Sequence, residues 1–216
     1  MILALLLQAA APAPACANPG DLPPRVATKR CDGLALAVRG QWRDAAAAFE
    51  AAAREATGAA TVPLWAQAGN AWLAGGEPGK AGTAFDAALV RAEALSAFDR
   101  GELLLDRARA AVAAGDEDGA RRVMDQALAA VPDDPLAWLL SATLARRMGN
   151  PGRAASDIAE ALKRSPDDAG VQLEAGNIAA KGGNAALAKE RWETAARLQP
   201  DGPSGRAATA ALAQFR

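Results

Sequence analysis

The chain has no histidine and two cysteines, Cys16 and Cys31. It therefore lacks the commonest general base and metal ligand among side chains. Metal binding would fall to carboxylates, and Gly115-Asp-Glu-Asp-Gly119 sets three of them in a row. A calcium loop needs ligands spread over about twelve residues with a closing glutamate, and these are missing. The segment reads as a turn between helices with an acidic cap. Gly75-Gly76-Glu-Pro-Gly79-Lys80 holds the glycines and lysine of a phosphate cradle, without the spacing or the preceding strand that such a loop requires. Ser96, Ser141, Ser156, Ser165 and Ser204 stand beside no activating base, as nucleophilic catalysis would demand. The expectation is a protein that is not an enzyme and carries no cofactor. What remains is recognition: apolar burial, hydrogen bonding and charge.

The cysteines allow three fates. In an oxidising compartment they pair and pin the N-terminal arm to the first helix, worth about 3 kcal/mol for a loop of this size. In a reducing one they stay free. Cleavage before Cys16 would leave it for a lipid, but a lipobox wants a large aliphatic residue where Ala13 stands, so an anchor is disfavoured. The start itself, Met1-Ile-Leu-Ala-Leu-Leu-Leu7 followed by small residues, reads as a signal peptide over 1–17. No Lys or Arg precedes its apolar run. Export to a periplasm is expected, with a plain apolar tail on a cytoplasmic protein as the alternative. The run is too short to span a membrane, and no later charge-free stretch is long enough.

Formal net charge is −1, so no basic field draws nucleic acid. Half of the residues are hydrophobic, 51%, but only 4% are aromatic. Alanine supplies much of the difference. It is the best helix former, and β-branched residues are scarce, which argues against sheet.

These alanines recur. Gly115, Gly149 and Gly183 are evenly spaced, as are Pro132, Pro166 and Pro200, and a fixed period of this length signals a copied supersecondary unit. Five units align, at 26–59, 62–95, 101–134, 135–168 and 169–202, with short insertions after the first two. Each reads as two helices. The first stops at a glycine at unit position 15, where φ turns positive. Gln41, Glu77, Asp116, Asn150 or Asn184 follows; Asp and Asn are good N-caps, Gln and Glu poorer. Asp134 and Asp168 are placed to cap the next units. Position 8 is small throughout: Gly33, Gly69, Ala108, Ala142, Gly176. Positions 20 and 27 are always alanine, and position 24 is bulky: Phe49, Phe85, Met124, Ile158, Trp192. Small residues let helix axes approach closely, and the bulky one fills the gap.

In length, in its small residues at 8, 20 and 27, in the bulky residue at 24, in proline at 32 and in Trp65 and Trp138 at position 4, the pattern resembles the tetratricopeptide repeat (TPR) family. Lys29 and Gln172 at position 4 depart from it, and the first two units lack the terminal proline. The resemblance implies an all-α, right-handed α-solenoid of five TPR-like helix pairs over 26–202, folding as a single cooperative body. Residues 18–25 form an arm. Residues 203–216 form a capping helix, with Leu212 and Phe215 as its buried contacts, because stacked repeats need their last apolar face covered. Trp42 is expected to pack on the arm.

The resemblance also implies a non-catalytic adaptor that binds a protein or peptide in a groove lined by the first helix of each unit. Carried over by position, that groove holds Asn70, Leu73, Leu105, Arg109, Leu139, Thr143, Arg146, Leu173, Asn177 and Lys181. Leucines would form an apolar row, asparagines would read a peptide backbone, and the cations would favour an acidic segment. Envelope assembly or protein maturation is the expected setting, and a structural subunit of a larger envelope complex is the alternative.

Overall fold

The structure is a computed structural model that describes Cys16 and residues 22–215; the signal-peptide reading falls on residues outside that set. Apart from short 3-10 turns at Gly58–Ala60 and Ala92–Ala94, the described residues contain eleven α-helices and no strand. They are α1 (Pro24–Val38), α2 (Trp42–Glu55), α3 (Thr61–Ala74), α4 (Pro78–Leu89), α5 (Ala97–Ala113), α6 (Glu117–Ala130), α7 (Pro135–Arg147), α8 (Pro151–Arg164), α9 (Ala169–Lys181), α10 (Ala185–Leu198) and α11 (Pro203–Gln214). The chain divides into two compact units between Arg91 and Ala92, where one body is expected from the sequence. The first unit holds the pairs α1/α2 and α3/α4; the second holds α5/α6, α7/α8 and α9/α10, with α11 packed on α10 and α9.

The local chemistry of each pair follows from the repeat. The five position-15 glycines have φ between 71° and 79°, a region costly for any residue with a Cβ. The turned chain donates two bonds back to the helix it ends. In the last pair the Gly183 N–H reaches the Ala180 carbonyl at 3.0 Å and the Asn184 N–H reaches that of Ala179 at 2.9 Å, which satisfies carbonyls a helix end leaves orphaned. The next residue then caps the second helix. Asp116, Asn150 and Asn184 accept from the backbone N–H three residues on, while Gln41 and Glu77 cap no backbone N–H. Asp134 and Asp168 cap α7 and α9.

Packing rests on the small positions. All ten alanines at positions 20 and 27 are 0% or 1% exposed. The position-8 residue faces position 24 of its own unit. A Cβ built on Gly33 or Gly69 would stand 2.7 Å from Phe49 or Phe85, and one on Gly176 would stand 2.4 Å from Trp192. Glycine thus appears where position 24 is aromatic, and alanine where it is Met124 or Ile158. The same logic places Gly101, whose Cβ would meet Val131 Cγ1 at 2.4 Å.

Four details differ from the sequence reading. Helix α5 begins at Ala97, so the insertion after the second unit is helix, not linker. Ser96 caps it, accepting the Asp99 N–H at 3.0 Å. The signature Ser96-Ala-Phe-Asp99 was present in the sequence as a capping-box pattern. Phe215 is 41% exposed, although its ring meets Trp192 edge-on at 5.0 Å; Ala208, with Leu212 beside it, carries the cap's burial. Trp42, the first residue of α2, is 40% exposed. Gln172 keeps the role of the tryptophan it replaces. Trp138 Nε1 donates to the Pro132 carbonyl at 2.7 Å, and Gln172 Nε2 donates to the Pro166 carbonyl at 2.5 Å. One hydrogen bond joins consecutive units in both places, made by different side chains.

Candidate functional site

The ten expected groove residues fall in both units. Asn70 and Leu73 lie on α3, exposed and half-buried respectively; the other eight lie on α5, α7 and α9. Leu105 is only 3% exposed and belongs to the core, so it offers no surface to a partner. Its position in the repeat is shared with Leu139 and Leu173, which are half-buried against the clusters around Ile158 and Trp192. Arg109 is exposed and pairs with Asp106 at 2.8 Å, one turn away. Thr143 is half-buried, and its hydroxyl donates to the Leu139 carbonyl at 2.9 Å.

Arg146, Asn177 and Lys181 come together on α7 and α9, around a residue that the sequence reading passed over. Glu174 is 6% exposed. Arg146 approaches it with both arms of its fork, Nε to Oε1 at 2.6 Å and a terminal nitrogen to Oε2 at 3.1 Å. Asn177 Nδ2 also donates to Oε2, at 3.1 Å. The other end of that amide, Oδ1, accepts from Trp192 Nε1 at 3.1 Å. Lys181 Nζ donates to the Arg146 carbonyl at 2.7 Å, so a cation sits at the C-terminus of α7, where the helix dipole favours it. A burial-prone carboxylate three residues before Asn177 on the same helix face was the available signal.

This changes what the site does chemically. Arg146 is neutralised by a carboxylate of its own chain, and Asn177 is spent on both ends. The positive charge still offered to solvent comes from Lys181, and from Arg147, which forms no ion pair among the described residues. Arg146 and Lys181 also line a pocket of ≈170 Å³ floored by Ala154 and Ile178. The α7/α9 face is thus half-buried leucine and threonine edged by two exposed cations.

Glu102, near the start of α5, has its carboxyl held above the usual range, first by burial and then by the charges of Asp134 and Asp106.

A second polar cluster ties α6, α7 and α8. Asp157 is buried and accepts from the Ser141 hydroxyl and from Arg153 Nε at 2.8 Å. Arg121 donates to Ser141 Oγ at 2.9 Å, and both arginines reach Asp125. Ser141 is wholly buried, so no substrate reaches its hydroxyl. Among the described residues no cluster of side chains suits a metal ion, and no helix is long and apolar enough to cross a membrane.

Helix pairs closed by a left-handed glycine, with small residues facing a bulky one, define a class of helical repeat. Residues 105–169 and again 139–203 match the family model for the tetratricopeptide repeat, so this part of the chain is built of tetratricopeptide repeats. Solved structures agree in fold. The MamA protein shares 15% identity at a TM-score of 0.66, covering 82% of this chain and 92% of its own. YrrB, described as a TPR protein with an unusual peptide-binding site, shares 22% at 0.62, covering 85% and 89%. A tetratricopeptide repeat protein from Parabacteroides merdae shares 16% at 0.72, covering 88% and 73%. No curated protein matches the chain.

Proposed function

We propose that the chain is a non-catalytic adaptor that holds a partner peptide or helix on the α7/α9 face of its second unit. The carrying observation is the composition of that face: Leu139, Thr143 and Leu173 half-buried, beside the exposed cations of Arg147 and Lys181. Apolar anchors next to an uncompensated charge suit an amphipathic segment with carboxylates along one edge. The similarity to YrrB, itself described as having a peptide-binding site, supports the same reading. Periplasmic export is part of the proposal. Cys16 and Cys31 are joined in a disulfide, a bond that persists in oxidising compartments. Envelope assembly or protein maturation is the setting that fits.

A second reading has its own observation. Elsewhere in the second unit, α8, α9 and α10 leave a crevice of ≈440 Å³ walled by Ala155, Ile158, Ala159, Leu162 and Leu187. That surface suits a structural subunit fixed in a larger envelope complex.

Photo-crosslinkers at Leu139 and Thr143, with a control at Ala159, separate the two in cells. Capture of a protein from the first pair, lost when Lys181 and Arg147 are changed to Glu, is the expected result. Capture from Ala159 alone would transfer the function to the α8/α10 side.

A further inference from the structure

The disulfide joins Cys31, in the middle of α1, to Cys16, with the two Cα atoms 5.5 Å apart. That bond constrains how a leader can be removed, because Cys16 stands inside the 1–17 segment that reads as one. A leader peptidase wants a small residue at the cut and another two places before it. Four overlapping sites in this stretch meet the rule: Ala9-Ala-Ala11, Ala11-Pro-Ala13, Ala13-Pro-Ala15 and Ala15-Cys-Ala17.

Elementary chemistry removes three of them. The first two are followed by Pro12 and Pro14. A proline nitrogen carries a ring in place of the N–H, so the bond to be cut is a tertiary amide that the peptidase does not accept. The last site leaves a chain that begins at Asn18 and has lost Cys16. Cys31 would then be the protein's lone cysteine, and no covalent bond could hold the arm. A cut after Ala15 obeys the small-residue rule and also keeps the disulfide.

The same bond decides the fate of the cysteine. A cut at this place makes Cys16 the first residue, where a diacylglyceryl group would attach through a thioether. The thioether and the disulfide need the same sulfur. In the structure that sulfur belongs to the bond with Cys31. Leu22 packs against the cluster of Val26, Ala53, Ala56 and Leu64, which draws the arm onto the unit that carries its partner cysteine.

We propose that the Ala15–Cys16 peptide bond is a processing site, and that Cys31 takes the cysteine it exposes. A leader peptidase adds water across that bond, leaving a carboxylate on Ala15 and an α-amino group on Cys16. The two thiols give up two protons and two electrons to a disulfide-bearing oxidoreductase of the same compartment, which is reduced to its dithiol. The mature chain then begins with a residue fastened to its own first helix. This rests on the export reading and not on the α7/α9 face.

The full chain, produced from its own start in a bacterial host and fractionated into cytoplasm and periplasm, tests it by N-terminal sequencing and by intact mass before and after reduction. The expected periplasmic product begins at Cys16, carries no lipid and gains two hydrogens on reduction. Ala17→Leu spoils only the alternative cut and should leave that product unchanged. Ala15→Leu puts a large residue at the proposed cut and should abolish it. A product beginning at Asn18, a diacylglyceryl mass on Cys16, loss of processing in Ala17→Leu, or an unchanged cut in Ala15→Leu would each overturn the proposal. An exported, oxidised chain still beginning at Met1 would overturn the cut alone. An unprocessed, reduced chain in the cytoplasm would overturn the export reading with it.

Discussion

At the scale of single residues, the pairing of positions 8 and 24 is the most demanding constraint in the chain. Gly69 faces Phe85 with no room for a methyl group, and Phe85 is wholly buried with no free direction to move. Gly69→Ala should therefore cost about 1–3 kcal/mol, the usual penalty for overpacking, read from denaturant midpoints. Phe85→Ile made in the same chain recreates the Ala142/Ile158 pair of the fourth unit, so the double variant should lose less than the sum of the singles. A neutral Gly69→Ala would show that the contact is slack. Glu102 offers a test of charge. Its carboxyl is pushed up by burial and by the charges of Asp134 and Asp106, so the folded state holds this proton more tightly than the unfolded chain does. Stability from this group is then present below its ordinary pKa, about 4.3, and is lost as pH rises from there through the raised folded value. Glu102→Gln should raise the melting temperature at pH 7, with the gain vanishing near pH 4. A gain that is equal at both pH values would assign the effect to packing.

At the scale of elements, the helices are joined by polar contacts whose members the sequence placed but did not pair. The repeat spacing showed where each helix stops, which residues cap it and which alanines touch, because those depend on neighbours three to eight residues apart or on identical positions in each copy. The Arg146–Glu174 pair joins residues 28 apart, and Asn177 links it to Trp192, whose Nε1 donates to the Asn177 Oδ1. No local rule pairs Arg146 with Glu174, and position-by-position carry-over assigned Arg146 and Asn177 to a ligand instead. Leu105 failed for a related reason. The same repeat position is half-buried in α7 and α9 but buried in α5, and a period cannot tell an end from a middle. Two consequences can be measured. Arg146→Ala leaves Glu174 buried without its main partner and should cost about 3–5 kcal/mol, whereas Arg146→Met with Glu174→Leu should cost much less. Asn184→Ala removes a cap that accepts the Leu187 N–H and should cost about 1 kcal/mol. Gln41→Ala, at the equivalent place but with no capping bond to lose, only an exposed contact from Arg39 Nε, should cost much less. Similar losses at both sites would mean that the turn, not the side chain, sets the stability.

At the scale of the whole molecule, the two units have unequal means of support. The second carries three helix pairs, a closing helix that seals the apolar face around Trp192 and Ala195, and two buried polar networks. The first carries two pairs, and its cluster around Val26 and Leu64 is built mostly of alanine. Alanine buries little area, and hydrophobic stabilisation scales with area. The first unit has something else: the single disulfide, which closes a sequence separation of 15 residues and brings the Cys16 and Cys31 Cα atoms to 5.5 Å. A loop of that size removes about 3 kcal/mol of chain entropy from the unfolded state. Such a contribution is a large share of the stability of any small domain. Replacing both cysteines by serine should therefore lower hydrogen-exchange protection in α1–α3 by about two orders of magnitude where exchange requires unfolding of the unit. Helices α5–α11 contain no cysteine and give the reference within the same sample. Unchanged protection in α1–α3 would mean that the arm is held by the packing of Leu22 alone, and that the disulfide marks the compartment in which the protein folds without supporting the fold.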